Sequence, residues 1–287
     1  MTHVITRLMG GLGNQMFQYA AGYSLAKHLS VPLLVDRTFL DWRPKDITWT
    51  PRAFELDVFR PSIQFAPDEM VESMRRDRWF ASLRRISCIK ERAKTFDDRF
   101  FELRAPVLLD GYWQCEMYFS SCADTLRNEL FVPKDPPSSE NLHMRDAITK
   151  CTSASLHIRR GDYVTNIEAE RFHGMPALSY YIAAVEELRA KHDIDHFFIF
   201  SDDPDWTNAN LRLPYPATHV THNTDRNSHW DLWLMKQCHH HIIANSSFSW
   251  WGAWLNDRAD KTVIAPKNWF AGDGSPHDII PSTWLVR

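Results

Sequence analysis

Between residues 153 and 266, four short apolar runs alternate with three segments of helical spacing. The runs are "SASLHI", "HFFIF", "HHIIAN" and "TVIAP"; the helical segments are "SYYIAAVEELRAKH", "HWDLWLMKQ" and "SFSWWGAWLN". Strands separated by helices of this length connect by right-handed crossovers, so they build a parallel sheet. In such sheets ligands sit beyond the C-terminal ends of the strands. The polar residues that follow each run are therefore the first place to look for chemistry.

The chain opens on the same rhythm. Residues 1–36 read as strand, glycine turn, helix and strand, with "RLMGGLGNQMFQYA" at 7–20 carrying the turn. A phosphate-binding Walker loop needs Lys and then Ser or Thr after its last glycine, and Gly13 is followed by Asn14 and Gln15. A dinucleotide fingerprint needs a third glycine where Met16 stands, so only half of it is present. Asp36, at the end of "VPLLVD", is placed roughly where a ribose-binding acid would be under that reading. The plainer reading is a tight turn that lets a helix pack closely on a strand. The third is a loop whose amides face a ligand at a helix N-terminus.

Residues 37–60 look irregular, and a helical stretch is expected from there to about 94. "VLLDGYWQCEMYF" at 107–119 begins as a buried strand and turns at Gly111. "PKDPPSSEN" at 133–141 is the best linker candidate. The expected organisation is an N-terminal Rossmann-like domain over 1–132, a linker region over 133–150 and a C-terminal Rossmann-like domain over 151–287, whose last helix may cross back to the first.

Composition narrows the function. A net charge of −3 argues against a nucleic-acid binder, which presents a basic face. The basic stretch 74–94 reads as a solvated helix face, with an acidic-membrane or acidic-partner patch as the minor alternative. Five irregularly spaced cysteines suit reduced thiols, and no run reaches the ~20 apolar residues of a membrane span. A cytoplasmic location is expected on these grounds. Twelve tryptophans are enough to supply both core and sugar-stacking platforms.

Three strand ends carry unusual polar groups. After "SASLHI" come Arg159, Arg160 and Asp162; alternation puts His157 and Arg159 on one side and Arg160 on the other. An arginine fork at a strand end suits a phosphate. Arg159 is expected to hold a ligand, and Arg160 to pair with an aspartate at the Gly161 turn. After "HFFIF" come Ser201, Asp202 and Asp203; one aspartate is expected to cap the next helix and the other to accept from a ribose or a base. Asp203 and Asp205 also spell a possible divalent-metal pair, interrupted by Pro204. After "HHIIAN", Ser246, Ser247 and Ser249 lie at a helix start, where a diphosphate is stabilised by free amides and the helix dipole, unless the serines are simple caps. His239 to His241 lack a metal-ligand ladder and read as strand-start residues.

"GGLGNQMFQYA", "HIRRGDYV", "FSDD" and "IIANSSFSWWGAWL", in this order, closely resemble the α-1,2-fucosyltransferases of glycosyltransferase family 11. The likeness runs through nearly the whole chain and is loosest over 40–105. It implies a GT-B fold of two facing Rossmann-like domains and no metal or other cofactor. It also implies inverting transfer of fucose from GDP-β-L-fucose to the 2-hydroxyl of a terminal β-galactose, so the partners are this donor and a lactose-type acceptor. On the same resemblance Arg159 grips the β-phosphate. His157 and Asp202 or Asp203 lie near guanine, Ser246 and Ser247 near the phosphates, and Asn245 and Phe248 also belong to the donor-binding set. Gly11, Gly13, Asn14 and Gln15 face the donor across a cleft, and Ser201 stands with the donor-binding aspartates. The general base stays open among Asp162, Glu168 and His173.

Overall fold

The computed structural model describes residues 2–42, 50–76, 87–161, 174–270 and 277–287. The chain divides into two units: 1–47, 51–131 and 275–281 in one, and 48–50, 132–274 and 282–287 in the other.

In the first unit β1 (Val4–Arg7) runs through Gly10 and Gly11 into α1 (Leu12–His28). Gly10 has φ +74, and a Cβ there would strike the Asn14 side chain, so the turn admits only glycine without strain. The close approach of helix to sheet is made further on, at Gly22. A Cβ on Gly22 would lie 2.9 Å from Thr6 and 3.0 Å from Leu33, so its absence lets α1 rest on β1 and on β2 (Leu33–Asp36). With β3 (Ser87–Lys90) and β4 (Val107–Asp110) these strands form a sheet of order β2-β1-β4-β3. Thr6 faces α1, donating its hydroxyl to the Gln18 carbonyl at 2.9 Å. Ile5 and Leu108 face the other way and pack on Ala66 and on Val71 of α2 (Asp68–Arg76). The expected helix to residue 94 is corrected by Ser87–Lys90, which is an edge strand paired with β4. Four residues with a partner on one side only show too little alternation to be separated from the surrounding basic helical spacing.

The second unit starts with α3 (Ser139–Thr149), capped by Ser138, whose hydroxyl accepts from the Asn141 N–H at 3.2 Å. This helix lies inside the stretch expected to link two domains. The strands β5 (Ser153–Ile158), β6 (His196–Ser201), β7 (Ala217–Val220), β8 (His240–Ile242), β9 (Val263–Ala265) and β10 (Leu285–Val286) follow. Their order is β10-β9-β8-β5-β6-β7. One face of β5, Ala154, Leu156 and Ile158, packs on Tyr181, Ala184, Val185 and Leu188 of α4 (Leu178–Lys191). The opposite face carries Ser153, Ser155 and His157, the last beside Phe248 of α7 (Ser247–Trp254), which in turn packs on α6 (His229–Gln237). The expected α/β architecture is present: the strand pairings in both sheets are parallel.

The last expectation for the domains concerned the C-terminus. Residues 277–281 belong to the first unit, where Asp278 accepts the Phe96 N–H at 2.8 Å, and 282–287 return to the second. No helix makes that passage among the described residues.

Candidate functional site

The strands β8, β5 and β6 are neighbours, so the three polar strand ends lie side by side on one edge of the second sheet. Sequence separation hides this: residue 245 and residue 159 leave the sheet on adjacent strands.

Arg159 follows β5 and pairs with Asp202 at 2.8 Å, both side chains about a quarter exposed. Asp202 does more than balance the charge. Its two oxygens also accept the N–H groups of Arg160 at 2.8 Å and Gly161 at 2.9 Å. The carboxylate therefore clamps the exit of β5 onto the exit of β6 and orients the guanidinium. Gly161 is required because a Cβ there would collide with the Asp202 carboxylate. Arg160 pairs with Asp203 at 3.2 Å, an aspartate on the exit of β6 rather than one at the Gly161 turn, and lies over the Trp206 ring at 3.5 Å. Asp203 also caps α5 (Pro204–Asn210), accepting from the Trp206 N–H at 3.2 Å. Both aspartates thus have structural partners. This explains the cap, and it leaves each carboxylate partly exposed with acceptor capacity beyond its protein partners. Asp203 thus serves both a cation and a helix end. Ser201 is likewise engaged, accepting from the Asp203 N–H at 3.1 Å and the Thr207 hydroxyl at 3.0 Å.

His157 is buried on β5, its ring centroid 5.6 Å from that of Phe248. Among the described residues its buried Nδ1 has no hydrogen-bond partner. Burial pulls its pKa down to about 4; Asp202 opposes this and Arg159 reinforces it. The unfolded chain takes up the same proton near pH 6.5. Between about pH 6.5 and 4 the unfolded state then binds more protons at this position, so stability falls as pH drops through that window. His157→Phe removes this share of the acid sensitivity. Urea midpoints measured from about pH 7 to 4.5 should fall less steeply for the variant than for the wild type, and equal slopes would count against a neutral buried imidazole.

The third strand end leads into α7. Ser246 occupies the N-cap position but makes no side-chain cap hydrogen bond, so its hydroxyl does not consume the first helix amides. With Ser247 and Phe248 it borders the start of the helix, a position whose amides suit an anion. Ser249 is different: it is fully buried and accepts the Ala244 N–H at 3.0 Å. Asn245 is buried and donates to the carbonyls of Gly174 at 3.0 Å and Trp269 at 3.3 Å, so its amide ties the strand end in place. The histidines before it serve the sheet, as expected. His241 bonds Ser155 at 2.8 Å and Asn256 at 2.8 Å, and His239 bonds Ser153 at 3.2 Å.

In the first unit the glycine turn is built differently from the expectation for Gln15. That residue is fully buried; its Nε2 donates to the carbonyls of Gly10 at 2.9 Å and Ala53 at 2.8 Å, and its Oε1 accepts the Glu55 N–H at 2.9 Å. It holds residues 53–55 against the turn, and both of its N–H donors are used in doing so. Asn14 is half-buried and accepts from Gln114 Nε2 at 2.8 Å. Gly11 is the N-cap of α1 with a half-open flank, and Gly13 is buried in its first turn. Asp36 is committed to Arg7 at 3.2 Å and to Thr38, so the ribose reading has no acid.

Asp162, Glu168 and His173 lie outside the described residues. One candidate was missed in the sequence. Asp231, in the first turn of α6, is buried, and burial pushes its pKa up to about 7, against a hydrogen bond from Asn223 at 2.8 Å. The signal was available: an acid between tryptophans in "HWDLW" has no water to face.

The model of Glycosyl transferase family 11 matches residues 2–285. An α-1,2-colitosyltransferase of Escherichia coli is 32% identical, over 99% of this chain and 99% of its own length. The O-antigen biosynthesis glycosyltransferase WbnK of Escherichia coli is 34% identical, over 93% of this chain and 94% of its own. The galactoside α-(1,2)-fucosyltransferase 1 of Lagothrix lagotricha is 27% identical, over 86% of this chain and 63% of its own.

Proposed function

The chain belongs to glycosyl transferase family 11, and within that family we propose that it transfers L-fucose, with inversion, from GDP-β-L-fucose to the 2-hydroxyl of a terminal β-galactose. The observation that carries this reading is the arrangement of Arg159, aimed by Asp202, beside the uncapped start of α7 on a neighbouring strand end. A guanidinium and a row of helix amides form a cradle for a diphosphate.

The acceptor oxygen attacks C1 of the sugar as the bond from C1 to the β-phosphate oxygen breaks. The electron pair leaves with GDP, and the hydroxyl proton passes to a base or to water. Negative charge grows on the β-phosphate, where Arg159 and the amides at the start of α7 oppose it. Because those groups supply the positive charge, the reaction runs without a divalent cation. Full turnover in excess EDTA is the expected result, and loss of activity restored by Mn²⁺ would sink the metal-free mechanism.

One observation favours a second donor. The relative that matches 99% of this chain is named for colitose, the 3-deoxy analogue of fucose. The same leaving group and cradle would serve either sugar. Incubation of the protein with lactose and either GDP-fucose or GDP-colitose, with the product linkage read by NMR, separates them. An α-1,2-fucosyl product supports the first reading. Transfer of colitose alone supports the second, and a linkage to another oxygen overturns both. Glycan binding with no turnover of either donor would make the protein a lectin-like module instead.

A further inference from the structure

The exits of the four strands in the first unit share one edge, and one segment there has no role in the chemistry described above. β4 ends at Asp110 and turns through Gly111, Tyr112, Trp113 and Gln114. Trp113 has φ +55, a left-handed backbone that a bulky side chain adopts only under constraint. The constraint is visible. Glu91, just past β3, accepts the N–H groups of Tyr112 at 2.7 Å and Trp113 at 3.0 Å. Its pKa is raised, because burial outweighs those two hydrogen bonds. Gly111 leaves room for it, since a Cβ there would collide with the Glu91 side chain. The Trp113 ring is buried against Phe100 at 5.2 Å and Tyr118 at 5.4 Å.

With Trp113 pinned inward, its two neighbours point outward. Tyr112 is 41% exposed. Gln114 reaches Asn14 on the glycine turn, its Nε2 donating to Asn14 Oδ1 at 2.8 Å. Among the described residues neither side-chain amide has a further hydrogen-bond partner. Asn14 thus keeps its amide donors and Gln114 its carbonyl acceptor, on the same turn as the 41% exposed Tyr112. A donor, an acceptor and an aromatic side chain carried by one turn suit a pyranose, which offers vicinal hydroxyls and an apolar C–H face.

We propose that Tyr112, Gln114 and Asn14 form a subsite for the acceptor sugar, with Glu91 as the residue that positions it. This deepens the galactoside-transfer reading and rests on it. The strain at Trp113 then serves function: it turns two adjacent side chains toward the ligand edge of the sheet.

The test uses Gln114→Ala and Tyr112→Ala in the full chain. Methyl β-D-galactoside and lactose are titrated by NMR in the presence of GDP, and acceptor KM, donor KM and donor hydrolysis without acceptor are measured alongside. Each variant should weaken galactoside binding and raise acceptor KM by roughly tenfold, the loss of about one hydrogen bond or stacking contact. Donor KM and acceptor-free hydrolysis should stay within about twofold of wild type. Glu91→Ala should raise acceptor KM similarly, with Glu91→Gln recovering part of the loss because it still accepts from one amide. Unchanged galactoside affinity, or a parallel rise in donor KM, overturns the subsite. A wild type that binds no galactoside overturns it too. A wild type that binds galactosides through Gln114 and Tyr112 yet transfers no sugar upholds the subsite and overturns the transferase reading.

Discussion

Arg159→Ala is expected to lower kcat for sugar transfer by roughly 10²–10³-fold while the fold persists. The guanidinium stands at the end of β5, held by Asp202 at 2.8 Å. In the proposed reaction, charge accumulates on the departing phosphate only as the glycosidic bond breaks, so this contact strengthens in the transition state and its loss appears mainly in kcat. Arg159→Lys separates charge from geometry. Lysine keeps the charge but lacks the planar fork, so it should recover only part of the loss. Asp202 would still hold the N–H groups of Arg160 and Gly161 in either variant. The clamp on the strand end therefore survives, and thermal melts and far-UV spectra should stay near those of the wild type. A kcat within about threefold of wild type for Arg159→Ala would remove Arg159 from the mechanism.

Trp250→Ala is expected to cost about 3–5 kcal/mol of stability, the range for truncating a fully buried large aromatic. Trp250 has no solvent exposure and lies at the centre of a cluster. Its ring is 5.0 Å from Trp251, 5.7 Å from Trp254 and 5.5 Å from Trp284. Removing it opens a cavity that three large rings cannot fill by small movements, because each is itself packed. The loss is read from urea midpoints at constant m-value. The same substitution should weaken GDP binding, since Trp250 anchors α7 one turn beyond the helix start at Ser247. A variant with wild-type stability would show that this cluster is looser than its burial implies.

These tryptophans also show how the sequence could be read and where the reading ran out. "SFSWWGAWL" announced a helix, and its burial was legible because it has almost no polar residue to turn to water. Which serine would be left for a ligand was not legible. Ser246 and Ser249 look alike on paper, yet Ser249 turns inward to Ala244 and Ser246 caps nothing. The same holds for the two amides after the glycine turn. Gln15 and Asn14 are adjacent, but Gln15 is consumed by residues 53–55, nearly forty positions away. Asn14 meets Gln114, a hundred positions away. The missed strand Ser87–Lys90 falls under the same heading, because its partner is β4 and nothing local advertises it.

The amino-acid sequence by itself determined the alternation of strands and helices, the positions of the turns and the edge of each sheet at which polar groups collect. It could do so because apolar periodicity and the backbone freedom of glycine are properties of neighbouring residues. Only the tertiary structure decided which of those polar groups remain available. Asp202 and Asp203 went to the two arginines, Gln15 to a distant loop, Asp36 to Arg7, and Glu91 to the turn that carries Tyr112. A buried hydrogen-bonding group must find a partner, and the partner is chosen by which strands lie side by side, not by what stands next in the chain.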